Sequence, residues 1–395
     1  MNDDTASAPA YWSGDYSLAL CSFVLVAAEF MPVSLLTPIA ADLGLTEGEA
    51  GQTVTICALA ALIASLTIRK ISGGTDRRHV LLFLTAMLIL SGPLVAFAPN
   101  YSVLMFGRIL VGVALGGGWS LSAATSMRLV PPASVPKALA VISGGTALAS
   151  IIAAPLGSFL GGLIGWRGAF LCIIPISLVA FLWQARAIPH LPPRGRIAPV
   201  GMLGLLCQPP VLVGYLAAMV FFAGQYSLFT YLRPFLEQVT NAGLSLVSFS
   251  LLVIGIAGFV GTLLVGRLIG DRLHLTITGL AASMAAVTLC LALLGSVPAL
   301  TIALLAVWGF VGTATQVVWW TWVTRAAADD AEAGGGILVA VAQVGISAGA
   351  VIGGIAYDNI GPLSVPIGSG CVLVMAAVIA LIMGRLGRRA VHAIP

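Results

Sequence analysis

A single carboxylic acid, Glu29, lies deep within a long apolar stretch of the sequence, in the tetrapeptide Glu29-Phe30-Met31-Pro32. The stretch runs from about residue 16 to residue 40, so Glu29 falls near its middle. A charged residue at the centre of a bilayer costs roughly 2.5–3.5 kcal/mol on insertion scales, and such residues usually mark proton or substrate sites beside a cavity. The alternative is a neutral carboxyl group that hydrogen-bonds a neighbouring helix. We predict that Glu29 is a proton-coupling residue.

A second charge within an apolar stretch is Arg108, which precedes Gly112, Gly116 and Trp119 on one face of a helix. Glycines at this spacing allow two helices to approach closely. Arg108 would be near Glu29 if their helices adjoin, and it is the second predicted proton-coupling residue. The alternative is a structural arginine whose guanidinium donates to backbone carbonyls. Trp119 is a predicted substrate contact.

Two later stretches carry aromatic rings and amide groups along one helical face. Their predicted substrate contacts are Gln225, Tyr226, Phe229, Thr230, Gln316, Trp319 and Trp320. Rings can stack on a planar ligand, and a neighbouring amide can hydrogen-bond the edge of that ligand. An interfacial aromatic belt is the alternative for Trp319 and Trp320. Buried amides in lipid need partners, which favours Gln225 and Gln316 as functional residues.

The elements that position these residues must be membrane-spanning helices. The chain has 395 residues, of which 59% are hydrophobic and only 8% are charged, and its mean hydropathy is +1.07. A soluble domain carries about 25% charged residues, so a soluble protein is excluded. The net charge of +4 is spread among short loops and gives no indication of nucleic-acid binding.

Apolar stretches of about 20 residues, the length that crosses about 30 Å of hydrocarbon, recur twelve times along the chain. They fall near 17–40, 48–69, 79–98, 101–124, 137–160, 168–187, 210–233, 246–267, 276–295, 299–323, 335–356 and 365–384. We predict an all-α polytopic protein with an N-terminal six-helix bundle (1–187), a linker (188–209) and a C-terminal six-helix bundle (210–395).

The two halves share a weak internal repeat at a separation of about 200 residues. Asp76-Arg77 matches Asp271-Arg272, and Pro32 matches Pro234. Such repeats are typical of secondary transporters, which rock one bundle against the other. Lys and Arg concentrate in the loops on one side, which predicts that both termini and the linker are cytoplasmic.

Catalytic signatures are missing from the sequence. We find no phosphate loop, no metal-type cluster of His, Cys and Asp, and no nucleophile elbow, so we predict no enzyme activity, no cofactor and no metal. A channel is disfavoured because repeated filter-like loops are also missing. The predicted partners are a small-molecule substrate, protons and the lipid bilayer.

Two motifs resemble those of the major facilitator superfamily, specifically its twelve-helix proton antiporters that export drugs and sugars. Leu104-x-x-x-Arg108-x-x-x-Gly112 is similar to the fourth-helix motif of the family, and Ala154-Pro155-Leu156-Gly157 to its fifth-helix antiporter motif. The resemblance implies the major facilitator fold and transport by alternating access.

Longer segments are similar to a branch of that family that exports purine ribonucleosides. They include residues 29–38, 128–132, 153–161, 229–234 and 358–361. This resemblance implies export of purine ribonucleosides such as inosine and guanosine by proton antiport across the bacterial inner membrane. The alternative is sugar or multidrug efflux by the same fold.

Overall fold

The computed structural model describes residues 11–71, 74–192, 206–267, 269, 273–327 and 331–392, which are mostly helical. The α-helices within these residues are α1 (Trp12–Ser34), α2 (Leu36–Leu43), α3 (Glu47–Ile71), α4 (Arg77–Ala96), α5 (Tyr101–Leu129), α6 (Val135–Leu171), α7 (Ile173–Ala187), α8 (Pro209–Thr230), α9 (Leu232–Gln238), α10 (Leu244–Leu264), α11 (Leu273–Leu294), α12 (Pro298–Ala326), α13 (Ala331–Ile360) and α14 (Ser364–His392). Single 3₁₀ turns cover Pro132–Ser134 and Val265–Arg267.

The long apolar helices confirm the predicted fold class. Within the described residues, 11 segments are long and apolar enough to cross a membrane, and the longest is Pro132–Ala187 with 56 residues. This segment contains two crossings, because Gly165 adopts φ 75° and ψ 163° and breaks α6 before α7 begins. That backbone conformation is essentially restricted to glycine. The described chain therefore crosses the membrane twelve times.

The helices form two bundles that meet along two helix pairs. In the first half, α1 packs against α6 and α7, while α3 and α4 pack against α5. In the second half, α8 packs against α13 and α14, while α10 and α11 pack against α12. Between the halves, α3 packs on α13 and α6 packs on α10. Residues 193–205 of the predicted linker lie outside the described residues, as does Asp271-Arg272 of the predicted repeat.

Proline interrupts the first helix of each bundle at corresponding places. α1 is separated from α2 at Leu35, and α8 is separated from α9 at Tyr231. Pro38 and Pro234 both occupy the third position of the short helix that follows. The predicted match of Pro32 with Pro234 is therefore wrong, and Pro38 is the structural counterpart of Pro234.

The break near Pro38 creates a contact between the bundles. Because proline has no N–H, Pro38 leaves the carbonyl of Ser34, four residues earlier, without its helical donor. The guanidinium Nη1 of Arg233 in α9 donates to this carbonyl. Arg233 also donates through Nε to Glu237 Oε1 at 2.8 Å. A carbonyl of the first bundle is thus capped by an arginine of the second bundle.

A second contact joins the start of α3 to the end of α13. The Asp358 carboxylate accepts hydrogen bonds from Thr46 Oγ1 at 2.7 Å and from the Gly48 backbone N–H at 3.0 Å. A carboxylate is favourable here because the first N–H groups of a helix lack helical partners. A Cβ atom at position 48 would lie 2.2 Å from Asp358 Oδ2, so the contact requires glycine. Ser34, Thr46, Gly48, Arg233 and Asp358 define what we call the closed end.

The pair α6 and α10 separates with distance from the closed end. The hydroxyl groups of Ser158 and Ser248 are 3.0 Å apart, and a Cβ at Gly255 would lie 2.7 Å from the Ile151 Cα. From Ile151 and Gly255 onwards, away from the closed end, both helices line a cavity. We call this opposite side the open end.

The first residues of the predicted linker are attached to the first bundle by Asp76. Its carboxylate accepts the backbone N–H groups of Arg78 at 2.8 Å and of Leu191 at 3.0 Å, and it contacts His190 Nδ1. Although partial burial opposes ionisation, these donors hold the pKa of Asp76 below its ordinary value. The segment after α7 therefore stays close to the start of α4.

Candidate transport cavity

A cavity of about 660 Å³ lies between the two bundles. Its lining comes from α1, α5 and α6 of the first bundle and from α8, α10 and α12 of the second. The volume falls within the range of about 300–1,000 Å³ that is usual for small-molecule sites. A ligand in this cavity would contact both halves of the chain.

Aromatic rings form a cluster on one wall of the cavity. Phe229 stacks on Trp308, with ring centroids 5.8 Å apart and planes inclined by 15°. Phe30 and Tyr226 meet Phe229 edge to face at 5.7 and 5.8 Å. All four rings line the cavity. This wall can accept the flat face of an aromatic ligand, since ring pairs at such spacings are favourable.

Two polar groups in the same wall have no hydrogen-bond partner among the described residues. They are Gln225 Oε1, an acceptor, and Trp308 Nε1, a donor. Their side chains are only 7% and 3% exposed, and an unpaired buried polar group costs about 1–3 kcal/mol. The Gln225 amide packs over Gly312, where a Cβ would lie 2.8 Å from Gln225 Nε2. Both atoms are covered in this state, so a ligand that displaced the covering groups and paired with them would recover that cost.

Most of the predicted substrate contacts lie together at the cavity. Those in its lining are Trp119, Gln225, Tyr226, Phe229, Gln316 and Trp320. Trp119 and Trp320 are 45% and 44% exposed, so their rings are accessible to a ligand. Gln225 and Gln316 come from different helices, α8 and α12. The structure therefore brings two separate stretches of sequence to one site.

Two predicted contacts, Thr230 and Trp319, do not line the cavity. Thr230 is 0% exposed and Trp319 is 1% exposed. Successive residues of an α-helix point about 100° apart, and here Trp320 lines the cavity while Trp319 points into the protein. Trp319 instead packs edge to face on Trp322, with ring centroids 5.6 Å apart. An interfacial belt is also wrong for Trp319, because its ring is buried within the protein.

Sequence reasoning missed several lining residues. Phe30 directly follows Glu29, and Trp308 lies one helical turn before Gly312. A search of the residues next to those already selected would have found both. Ser143, Thr146 and Ser150 of α6 also line the cavity. Their spacing of three and four residues was the available signal.

Arg108 holds the backbone of α1 and α3. Its side chain is 0% exposed and donates through Nη1 to the Ala28 carbonyl at 2.7 Å and through Nε to the Thr53 carbonyl at 3.1 Å. A longer contact of 3.4 Å joins Nη2 to the Glu29 carbonyl. The Ala28 carbonyl lacks a helical donor because Pro32 has no N–H. The arrangement agrees with the structural alternative for Arg108, and it also places the arginine beside Glu29.

Glu29 does not itself line the cavity, although the next residue, Phe30, does. The carboxyl group of Glu29 interacts electrostatically with the Arg108 guanidinium, the Cys57 thiol and the Tyr226 phenol. Tyr226 and the adjacent Phe30 line the cavity, and Glu29 itself is partly exposed. A proton on Glu29 would therefore change the charge beside two residues that line the candidate site.

A further carboxylate, Asp15, lies in the first turn of α1, which begins at Trp12 rather than at the predicted residue 17. Asp15 is 0% exposed and accepts a hydrogen bond from Ser126 Oγ. This contact joins α1 to α5.

Twelve crossings, two bundles and a central cavity that is closed at one end define a multi-pass membrane transporter rather than an enzyme. The chain belongs to the Major Facilitator Superfamily, whose family model matches residues 18–336. This result confirms the resemblance that the helix motifs indicated.

The relatives of the chain include a protein with a regulatory name and proteins with transporter names. The chain is 49% identical to the transcription regulatory protein OpdE of Pseudomonas aeruginosa, over 95% of this chain and 94% of that protein. It is 42% identical to the purine ribonucleoside efflux pump NepI of Escherichia coli K12, over 93% of both chains. Among solved structures, a bacterial homologue of the human lysosomal transporter Spinster in an inward-facing, unoccupied conformation shares the fold, with a TM-score of 0.74 and 16% identity over 96% of this chain and 98% of that chain.

Proposed function

We propose that this protein exports purine ribonucleosides, such as inosine and guanosine, in exchange for protons. The observation that carries the proposal is the unpartnered pair Gln225 and Trp308 within a wall of aromatic rings. A purine offers a flat face to the rings and an edge with donors and acceptors to the pair. The relation to NepI, which is named as a purine ribonucleoside efflux pump, supports the same substrate class.

The proposed mechanism is alternating access across the bacterial inner membrane. Residues 1–187 and 210–395 would move as two bodies about the cavity, with residues 188–209 between them as a linker. The side with most Lys and Arg residues would be cytoplasmic, together with both termini. The closed end would then be periplasmic and the open end cytoplasmic, which is the state that takes up substrate for export.

Protonation of Glu29 from the periplasm would couple export to the proton gradient. A proton and the substrate would compete for the cavity, so proton entry favours substrate release. A membrane potential of 100 mV supplies about 2.3 kcal/mol per charge, enough for roughly a fifty-fold gradient of a neutral solute. Arg108 would assist by keeping the α1 backbone in place beside Glu29.

Sugar or multidrug efflux is the alternative function for the same fold. Drug exporters accept varied apolar ligands, whereas two buried polar groups that need partners favour a ligand with a fixed pattern of donors and acceptors. The name of the Pseudomonas relative suggests a regulatory role. We favour transport for this protein, because a cavity between two bundles is the feature that a carrier requires. Binding of inosine, a disaccharide and a cationic dye to the purified protein would separate these alternatives.

The Gln225→Ala and Gln316→Ala variants are expected to bind inosine roughly five- to a hundred-fold more weakly, because each removes a hydrogen bond to a buried group worth about 1–3 kcal/mol. Isothermal titration of the purified variants would measure the affinities. Gln343→Ala is the matched control, since Gln343 is also an amide of the second bundle but does not line the cavity. Inosine affinities equal to that of the parent would show that both amides only pack helices.

The orientation can be tested with single cysteines in a variant that lacks the native ones. Asn100→Cys and Asn241→Cys should react with a membrane-impermeant maleimide in intact cells. Ser72→Cys, Gly195→Cys and Ala331→Cys should react only after the cells are permeabilised. The side chains of the last three positions lie outside the described residues. Labelling of Gly195→Cys in intact cells would reverse the proposed orientation.

A further inference from the structure

The face of α6 that lines the cavity carries three hydroxyl groups. Ser143, Thr146 and Ser150 are spaced by three and four residues, which places them on one helical face along about 10 Å of the helix. All three belong to the cavity lining. We call these residues the hydroxyl row.

The hydroxyl row has hydrogen-bonding capacity left for a ligand. Each hydroxyl donates to the backbone carbonyl four residues earlier, at 2.9 Å from Ser143, 3.4 Å from Thr146 and 3.0 Å from Ser150. A hydroxyl oxygen keeps two lone pairs as acceptors, and its proton can rotate to another partner. The row can therefore accept hydrogen bonds from hydroxyl groups in the cavity without leaving any helical carbonyl worse off.

The depth of the hydroxyl row is set by the contact between α6 and α10. Ser150 lies next to Ile151, whose backbone meets Gly255 where the two helices touch. Ser143 lies two turns nearer the open end and is exposed. The row thus runs along the first-bundle wall from the inner limit of the cavity towards its open end.

The residues that the second bundle contributes to the cavity have a different chemistry. The second bundle contributes the stacked rings of Phe229 and Trp308 and the unpartnered amide oxygen of Gln225. A ligand with one planar half and one half rich in hydroxyl groups would match both walls. A ribonucleoside is divided in this way, because its base is planar and its ribose carries hydroxyl groups.

We infer that the hydroxyl row binds the ribose of the substrate and makes the cavity selective for ribonucleosides over deoxyribonucleosides and free bases. This inference rests on the proposed function and extends it, since it assigns the two parts of the substrate to different bundles. The base is held by the second bundle and the sugar by α6 of the first. Binding would then require both bundles, as alternating access demands.

The test compares ligands and variants in one set of titrations on purified protein. Inosine, 2′-deoxyinosine, 3′-deoxyinosine and hypoxanthine are titrated into the parent and into Ser143→Ala, Thr146→Val and Ser150→Ala. Each hydroxyl lost from the row should weaken inosine binding by roughly three- to tenfold, the size of one net hydrogen bond, and leave hypoxanthine binding unchanged. Where a protein hydroxyl binds a ribose hydroxyl directly, both removals abolish the same hydrogen bond. Removing the two together should then weaken binding by less than the sum of the two separate losses in binding free energy.

Thr67→Val is the matched control. Thr67 also donates to a carbonyl four residues earlier, at 2.7 Å, but it is exposed on α3 and does not line the cavity. If the parent binds inosine and all three row variants keep the parental ratio of inosine to hypoxanthine affinity, the ribose assignment is overturned while the proposed function stands. If the parent binds none of the four ligands, both are overturned.

Discussion

The Glu29→Gln variant is expected to bind inosine and exchange it across a membrane, yet to lose export driven by a pH gradient. Glutamine keeps the size and hydrogen-bonding capacity of a neutral glutamic acid but cannot release a proton. The variant therefore has no proton to exchange for substrate at this position, and its inosine binding should no longer depend on pH. In proteoliposomes, uptake driven by the pH gradient should fall to the level seen without a gradient.

The position of Glu29 explains why this effect should be large. Its carboxyl group lies near Tyr226, which lines the cavity, and interacts with Arg108, whose own donors are directed at backbone carbonyls. Bulk water screens a charge in such surroundings only weakly. Neutralising Glu29 should therefore change its interaction with a bound ligand strongly. Glu29 is thus placed to link its own protonation to the release of substrate.

The matched control for Glu29→Gln is Glu49→Gln. Glu49 is an exposed carboxylate that accepts the Thr46 backbone N–H at 2.9 Å, far from the cavity. That variant should keep export driven by the pH gradient. Counterflow of labelled inosine, measured in both variants without a gradient, would show that each still carries substrate. Undiminished gradient-driven export by Glu29→Gln would remove Glu29 from the coupling mechanism.

The Arg108→Met variant is expected to be less stable by roughly 1–3 kcal/mol, because the buried Ala28 carbonyl loses the donor that takes the place of a helical N–H. The Ala28 carbonyl would be affected most, since Pro32 cannot replace the lost donor. Thermal unfolding of the purified protein in detergent would show the change as a lower Tm. Methionine fills a similar volume, so the loss reports hydrogen bonding rather than packing.

A second substitution separates the two roles of Arg108. Pro32→Ala supplies an N–H to the Ala28 carbonyl, so it should recover about 1 kcal/mol of stability when added to Arg108→Met. The same substitution in the parent should recover nothing, because Arg108 already caps that carbonyl. If Arg108→Met unfolds at the parental Tm but loses gradient-driven export, Arg108 acts on Glu29 through its charge and not through the α1 backbone.

The sequence alone determined the number of crossings and the residues that are expensive in lipid. A helix in a bilayer must be apolar over about 20 residues, and this requirement holds locally, whatever the tertiary structure. For the same reason the sequence alone identified the candidate functional residues whose polar side chains are costly to bury in hydrocarbon, namely Glu29, Arg108, Gln225 and Gln316. The break at Gly165 and the true start of α1 needed the structure, because hydropathy changes gradually near the ends of a span.

Only the tertiary structure decided which face of each helix meets the cavity. In a membrane the lipid and the bundle interior are both apolar, so the periodicity that marks the inner face of a soluble helix is weak. Trp319 and Trp320 looked equivalent in sequence, but packing on Trp322 buries the first and leaves the second in the cavity. The same holds for the partners of Arg108 and for the place of the hydroxyl row in the same cavity as Trp308. Both depend on contacts between residues far apart in the chain, which no local pattern records.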